Sequence, residues 1–301
     1  MARILPNDIL CWQLLGELGC LDTWTIHLRL FPFQTLRACQ RRLRLAADGG
    51  YLRKAALAVC FNRQFAGGEA SASRGGAVPV LHSITDRAAD IVERETGIRP
   101  KRVLRSEPAA ATFLHRWQVV LLRLAFDDAA EMAGLVPPDW IMEQDPWHDA
   151  PEGLPPNQRR LLYHRFNALS SPITCQPDAA CCLVVPREEP DKPPTQLLCL
   201  WETDRSTEGL KQIQRKLPGY DEYMKAKDWL RYYPHLAKAT VRILWVAPSA
   251  ERVKQLRGAI RGSAVERFCR FAIAGDTTPE RILFDEIWQT IDGQRRAFLR
   301  R

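Results

Sequence analysis

The chain has 301 residues, 46% hydrophobic and 26% charged, a balance that excludes the disordered and membrane classes. Its longest apolar run, around Trp117 to Phe126, is broken by Arg123 and falls short of the roughly 20 residues a membrane helix needs. MARILPNDIL carries no signal-peptide pattern, so the expected location is the cytoplasm, with no membrane partner.

The net charge of +8 is unevenly spread: residues 1–105 hold 16 Lys and Arg against 9 Asp and Glu, a net +7. A basic segment ahead of a near-neutral one points to a polyanionic partner, nucleic acid before membrane. The nine cysteines are odd in number and form no CxxC pair, which suggests neither a disulfide framework nor a zinc site. Cys181, Cys182 and Cys199 read as small core residues inside apolar strands.

The first predicted elements are helices over Ile9 to Leu18, closed by Gly19, and over Trp24 to Leu30, capped by Asp22. A third follows Pro32, where Leu36, Cys39, Leu43 and Ala46 form an apolar stripe and Arg37, Arg41 and Arg44 a cationic one. Gly49 and Gly50 end it. Strands over Tyr51 to Val59 and Val78 to Ile84 flank a Gly/Ser-rich loop from Gly67 to Gly76, and a helix over Asp86 to Glu95 comes next. Three helices followed by a long hairpin describe a winged helix-turn-helix over residues 1–105. In that arrangement the third helix enters the major groove of double-stranded DNA, with Arg37, Arg41 and Arg44 toward bases or phosphates, and Arg53, Lys54 and Arg74 lie along the backbone. The alternatives are a merely solvated face or a protein-docking one, homodimer formation included.

Residues 106–301 begin with a long helix, Glu107 to Glu131, and a strand, Asp139 to Gln144; Arg159 to Leu169 fits either helix or strand. CQPDAACCLVV and TQLLCLWETD are apolar runs joined by a proline-rich turn, which predicts a hairpin. If it is symmetric about Pro190, Asp178 faces Glu202. An amphipathic helix over Thr207 to Trp229, bent at Pro218-Gly219 with Leu210, Ile213 and Leu217 inward, leads to a strand at Thr240 to Ala247. A helix at Ala250 to Ile260, a strand at Arg267 to Ala274 and an edge element at DEIWQTID complete the reading. The expected class is mixed α/β (α+β): a winged helix, then a mixed-sheet domain of the restriction-endonuclease-like order, helix, three strands, helix, strand.

Pro177-Asp178, then Glu202-x-Asp204-Arg205-x-Thr207-Glu208, then Lys216-Leu217-x-x-Tyr220-x-x-Tyr223 resembles the replication-relaxation family of plasmids and other mobile elements. The resemblance implies a winged helix ahead of a PD-(D/E)xK-like domain, and it is similar to relaxases that nick DNA at transfer origins. It implies a DNA-binding protein of replication or transfer, either a metal-dependent nuclease or nickase or a non-catalytic regulator on an inactive nuclease-like fold.

Metal-dependent phosphodiester cleavage requires carboxylates to hold Mg²⁺ or Mn²⁺ and a cation near the phosphate. Asp178 and Glu202 supply the first, with Glu143 as a third ligand. The common nuclease pattern places Lys two residues after the acid, where this chain has Asp204. Lys216, with Lys211 in reserve, is the candidate to replace it from the following helix. The competing reading has Asp204 and Arg205 neutralise one another with no metal. Tyr220 and Tyr223, at i and i+3, fit packing better than nucleophilic attack.

Overall fold

The structure, a computed structural model, describes residues 4–56, 80–104, 110–167, 172–187, 189, 191–206 and 208–300. It divides into two compact units, one ending at Leu121 and one beginning at Leu122.

In the N-terminal unit, α1 (Pro6–Leu18) opens with proline in its first turn and stops at Gly19, whose φ of 93° suits glycine. After β1 (Leu21–Asp22), the Asp22 carboxylate accepts from Trp24 N and Thr25 N, both at 3.0 Å, to start α2 (Thr23–Leu30). Thr35 caps α3 (Leu36–Asp48), which buries Cys39, Leu43 and Ala46. β2 (Leu52–Ala56) and β3 (Val80–Ile84) pair antiparallel, and β1 lies on the other side of β3. α4 (Asp86–Thr96) follows. Trp12 of α1 stacks on Tyr51 at 4.8 Å, which ties the helices to the start of the hairpin. The loop from Gly67 to Gly76, with Arg74, lies outside the described residues, as does the strand reading beyond Ala56.

α5 (Ala110–Met132) contributes Phe113 and Trp117 to the first unit and Phe126 to the second. The second unit is built on a seven-stranded mixed sheet in the order β12-β11-β10-β9-β8-β7-β4. Its members are β4 (Asp139–Met142), β7 (Ala179–Val185), β8 (Thr195–Thr203), β9 (Thr240–Ala247), β10 (Cys269–Ile273), β11 (Trp288–Gln289) and β12 (Arg295–Arg296). β8, β9 and β10 run parallel, and the other neighbours are antiparallel.

The parallel steps are bridged by α6 (Leu210–Ala226) and α7 (Ala250–Ile260), as parallel pairing requires. Their Ile213, Leu217, Tyr220, Val253 and Leu256 pack on Leu198, Leu200, Ile243 and Phe271. On the other face Trp201 meets Phe126 at 5.1 Å, Trp140 at 5.7 Å and Trp288 at 6.1 Å. Covered on both faces, β8 has no alternation, which accounts for its unbroken LLCLW.

The β7–β8 register runs from Ala179↔Trp201 to Val185↔Thr195, so the hairpin is symmetric about position 190, as expected. Three expectations change, and one open stretch is assigned. Leu210 is exposed, because it opens α6 ahead of the first inward turn. The strand at Arg267 to Ala274 shortens to Cys269–Ile273, with 3-10 turns at both ends. DEIWQTID supplies β11, but β12 pairs outside it and forms the edge. The ambiguous Arg159 to Leu169 stretch contains β5 (His164–Phe166), which pairs with β6 (Ile173–Cys175) away from the main sheet.

Candidate functional site

Asp178 lies just past the last register pair, Ala179↔Trp201, and its backbone N donates to Trp201 O at 3.0 Å. Its Oδ2 accepts from Thr203 N at 2.6 Å, and its charge acts on Glu202. Glu202 is the last even-numbered residue of β8, on the face that α6 covers, and is 2% exposed. Lys216 and Tyr220 lie one turn apart on α6, so both reach it: Lys216 Nζ donates to Oε2 at 3.2 Å and the Tyr220 hydroxyl donates to Oε1. Lys216 also pairs with Glu208 at 3.0 Å.

Burial raises the Glu202 pKa, Lys216 pulls it back and Asp178 pushes it up again, leaving it at about 7. Burial works against the charge on Lys216, but Glu202, Asp178 and Glu208 outweigh it and hold the ammonium protonated. Burial, reinforced by Glu202, raises the Tyr220 hydroxyl well above its ordinary value, and burial likewise raises Tyr223, whose hydroxyl lies 2.5 Å from that of Tyr232. Both tyrosines are therefore packed, protonated groups.

Asp204 does not join this cluster. Its backbone N donates to Val246 O at 2.9 Å, and its carboxylate receives Arg252 Nε at 2.5 Å and a second guanidinium nitrogen at 3.1 Å. The same guanidinium donates to Glu208 O at 2.6 Å, so one side chain of α7 ties together the exit of β8 and the approach to α6. The partner of Asp204 is thus Arg252, 48 residues away, in place of the adjacent Arg205 that local reasoning suggests. No spacing rule in the sequence points to that pair.

Glu143 follows β4, and its backbone N donates to Asp178 O at 2.9 Å. Its carboxylate turns to Arg160 at 2.9 Å and to Gln176 at 3.3 Å. Among the described residues no group of three or more His, Cys, Asp or Glu side chains is disposed to hold a metal ion. The donor set also fits a divalent cation poorly. Both Glu202 oxygens, Asp178 Oδ2 and Glu143 Oε1 already accept hydrogen bonds from protein groups.

In the N-terminal unit Arg37, Arg41 and Arg44 are all exposed on α3, opposite its buried stripe. Arg42, between them in sequence, instead binds Asp8 of α1, its Nε donating to Oδ1 at 2.7 Å. Arg53 and Lys54 are both exposed, but as consecutive strand residues they point to opposite faces of β2.

The span from the middle of α1 to the residues just before β9 matches one family, described as replication-relaxation, over residues 12–236. The chain belongs to the replication-relaxation family. Membership associates this protein with the replication or transfer of plasmids and other mobile elements. Asp178, Glu202, Asp204 and Lys216 lie within the matched span of this replication-relaxation protein, whereas Arg252 lies beyond it. No curated protein and no solved structure matches the chain. Among the described residues no helix is long and apolar enough to cross a membrane.

Proposed function

We propose that this replication-relaxation protein is a DNA-binding factor of a mobile element. In this reading the N-terminal unit is a winged helix that meets duplex DNA through α3, and the C-terminal unit is a PD-(D/E)xK-like scaffold whose acidic site is neutralised by its own cations. The observation that carries it is the exposed trio Arg37, Arg41 and Arg44 on a helix whose opposite face is buried. The order α1, α2, α3, β2, β3, with β1 beside β3, is the order that a winged helix requires. On the C-terminal side, Lys216 on Glu202 and Arg252 on Asp204 support a non-catalytic role.

The test is retardation of duplex carrying the element's origin. Arg37→Ala/Arg41→Ala/Arg44→Ala should abolish binding at physiological salt and lower the slope of log K against log salt by about 2.7, at roughly 0.9 per phosphate contact. Unchanged affinity and slope would show that the face is only solvated.

A metal-dependent nickase is the second reading, favoured by the convergence of Asp178, Glu202 and Lys216. Supercoiled origin DNA with Mg²⁺ or Mn²⁺, beside EDTA and Asp178→Ala controls, separates the two. Binding without nicking fits the non-catalytic factor; metal-dependent nicking that disappears in Asp178→Ala replaces it with the enzyme.

A further inference from the structure

The sheet face that carries Trp201 and Trp288 holds a second cationic feature, far in sequence from α3. Arg242 of β9 pairs in register with Cys199, Arg270 of β10 with Leu244, and Arg296 of β12 with Trp288. Alternation along the strands puts all three guanidiniums on that one face. Arg242 and Arg270 are partly buried and Arg296 is exposed.

Arginines beside the buried acids each have an acid: Arg252 has Asp204, Arg160 has Glu143 and, in the N-terminal unit, Arg42 has Asp8. This trio has none among the described residues. Arg242 donates to Val241 O at 3.0 Å, Arg270 to Arg267 O at 3.2 Å and Cys269 O at 2.7 Å, and Arg296 to the Gln294 amide oxygen at 2.6 Å. The groups also repel. Burial first, then the charge of Arg242, with Arg296 adding to it, lowers the Arg270 pKa, and burial lowers that of Arg242. Converging guanidiniums held by neutral oxygens alone leave free N–H forks and uncompensated charge, the donor set that a phosphate diester matches.

We infer that Arg242, Arg270 and Arg296 form a second DNA-backbone site, on the C-terminal unit, that binds phosphodiesters without reading sequence. The inference rests on DNA being the protein's polyanion, but not on α3 being the reading helix.

The test uses full-length protein and a duplex of unrelated sequence, with Arg242→Gln/Arg270→Gln made both in the wild type and in the α3 triple variant. Losing two contacts should lower the salt slope by about 1.8 in both backgrounds, the α3 triple variant being titrated at low salt, and should weaken binding of the otherwise wild-type protein at physiological salt on the order of tenfold. Arg242→Lys/Arg270→Lys should keep most of the slope. Because the substitution relieves repulsion, the thermal midpoint should hold or rise; if the double variant does not fold, Arg296→Gln alone should remove about 0.9 of slope. An unchanged slope and affinity overturns the inference whatever the α3 variant does. So does a loss of binding to phosphatidylserine vesicles with the DNA affinity and slope unchanged.

Discussion

At the residue scale, Glu202 and Asp204 stand two positions apart on one strand exit and meet opposite fates. Glu202 is held by a lysine and a tyrosine from α6, Asp204 by an arginine from α7. The pKa of Glu202, raised to about 7, makes it a group whose folded form prefers the proton. Its contribution to stability is complete below its unfolded pKa, near 4.5, and is lost as pH rises through 7. Glu202→Gln lacks this titration, so the thermal midpoint of the wild type relative to the variant should fall between pH 5 and pH 8. A flat difference across that interval would mean that Glu202 is ionised throughout. Arg252→Gln leaves Asp204 buried and unpaired, at a cost of about 3–5 kcal/mol in urea unfolding. Asp204→Asn/Arg252→Gln should recover much of that loss, and simple additivity of the two single changes would deny the pairing.

At the element scale, the placement of α6 depends on one contact. A Cβ at Gly219 would lie 1.9 Å from Thr174 O, so the helix reaches β6 only where the side chain is absent. Gly219→Ala should therefore destabilise the C-terminal unit by about 3 kcal/mol, the upper end of overpacking costs, read by urea denaturation. Asp22 is the equivalent point in the N-terminal unit, capping α2 while accepting Trp117 Nε1 at 2.9 Å. Asp22→Ala should cost about 2 kcal/mol in the same assay, more than an ordinary cap, because the buried indole also loses its acceptor. The cap itself is legible from Asp22 before an apolar-periodic run; the indole, 95 residues on, is not. The β7–β8 hairpin was legible to the residue because two apolar runs of matched length flank one turn. α3 was legible because its two stripes separate at helical spacing.

At the scale of the whole molecule, burial decides the state of the cysteines, in the main sheet and outside it alike. All eight described cysteines are free and buried. Burial pushes the Cys182 thiol up to about 11, Cys39 to about 11 and Cys20 to about 12. These eight thiols should react with a thiol reagent only as the protein unfolds, and prompt modification of any of them in the native state would contradict the packing. The vicinal pair Cys181-Cys182 follows from strand alternation: its members face the two covered sides of one sheet, where each is a small apolar filler.

By itself the sequence determined what local periodicity and local spacing can encode: the helices with their caps, the strand pair around position 190, the cationic face of α3, and the neighbourhood of Asp178 and Glu202. Tertiary structure alone decided which cation meets which acid. Arg252 reaches Asp204, Arg160 turns Glu143 aside, and Arg42 leaves the α3 face for Asp8, across 48, 17 and 34 residues. It also decided that Arg242, Arg270 and Arg296 share one sheet face. Hydrogen-bonded neighbours along a helix or hairpin sit at fixed offsets in the chain, whereas a charge pair closed by packing has no characteristic spacing to read.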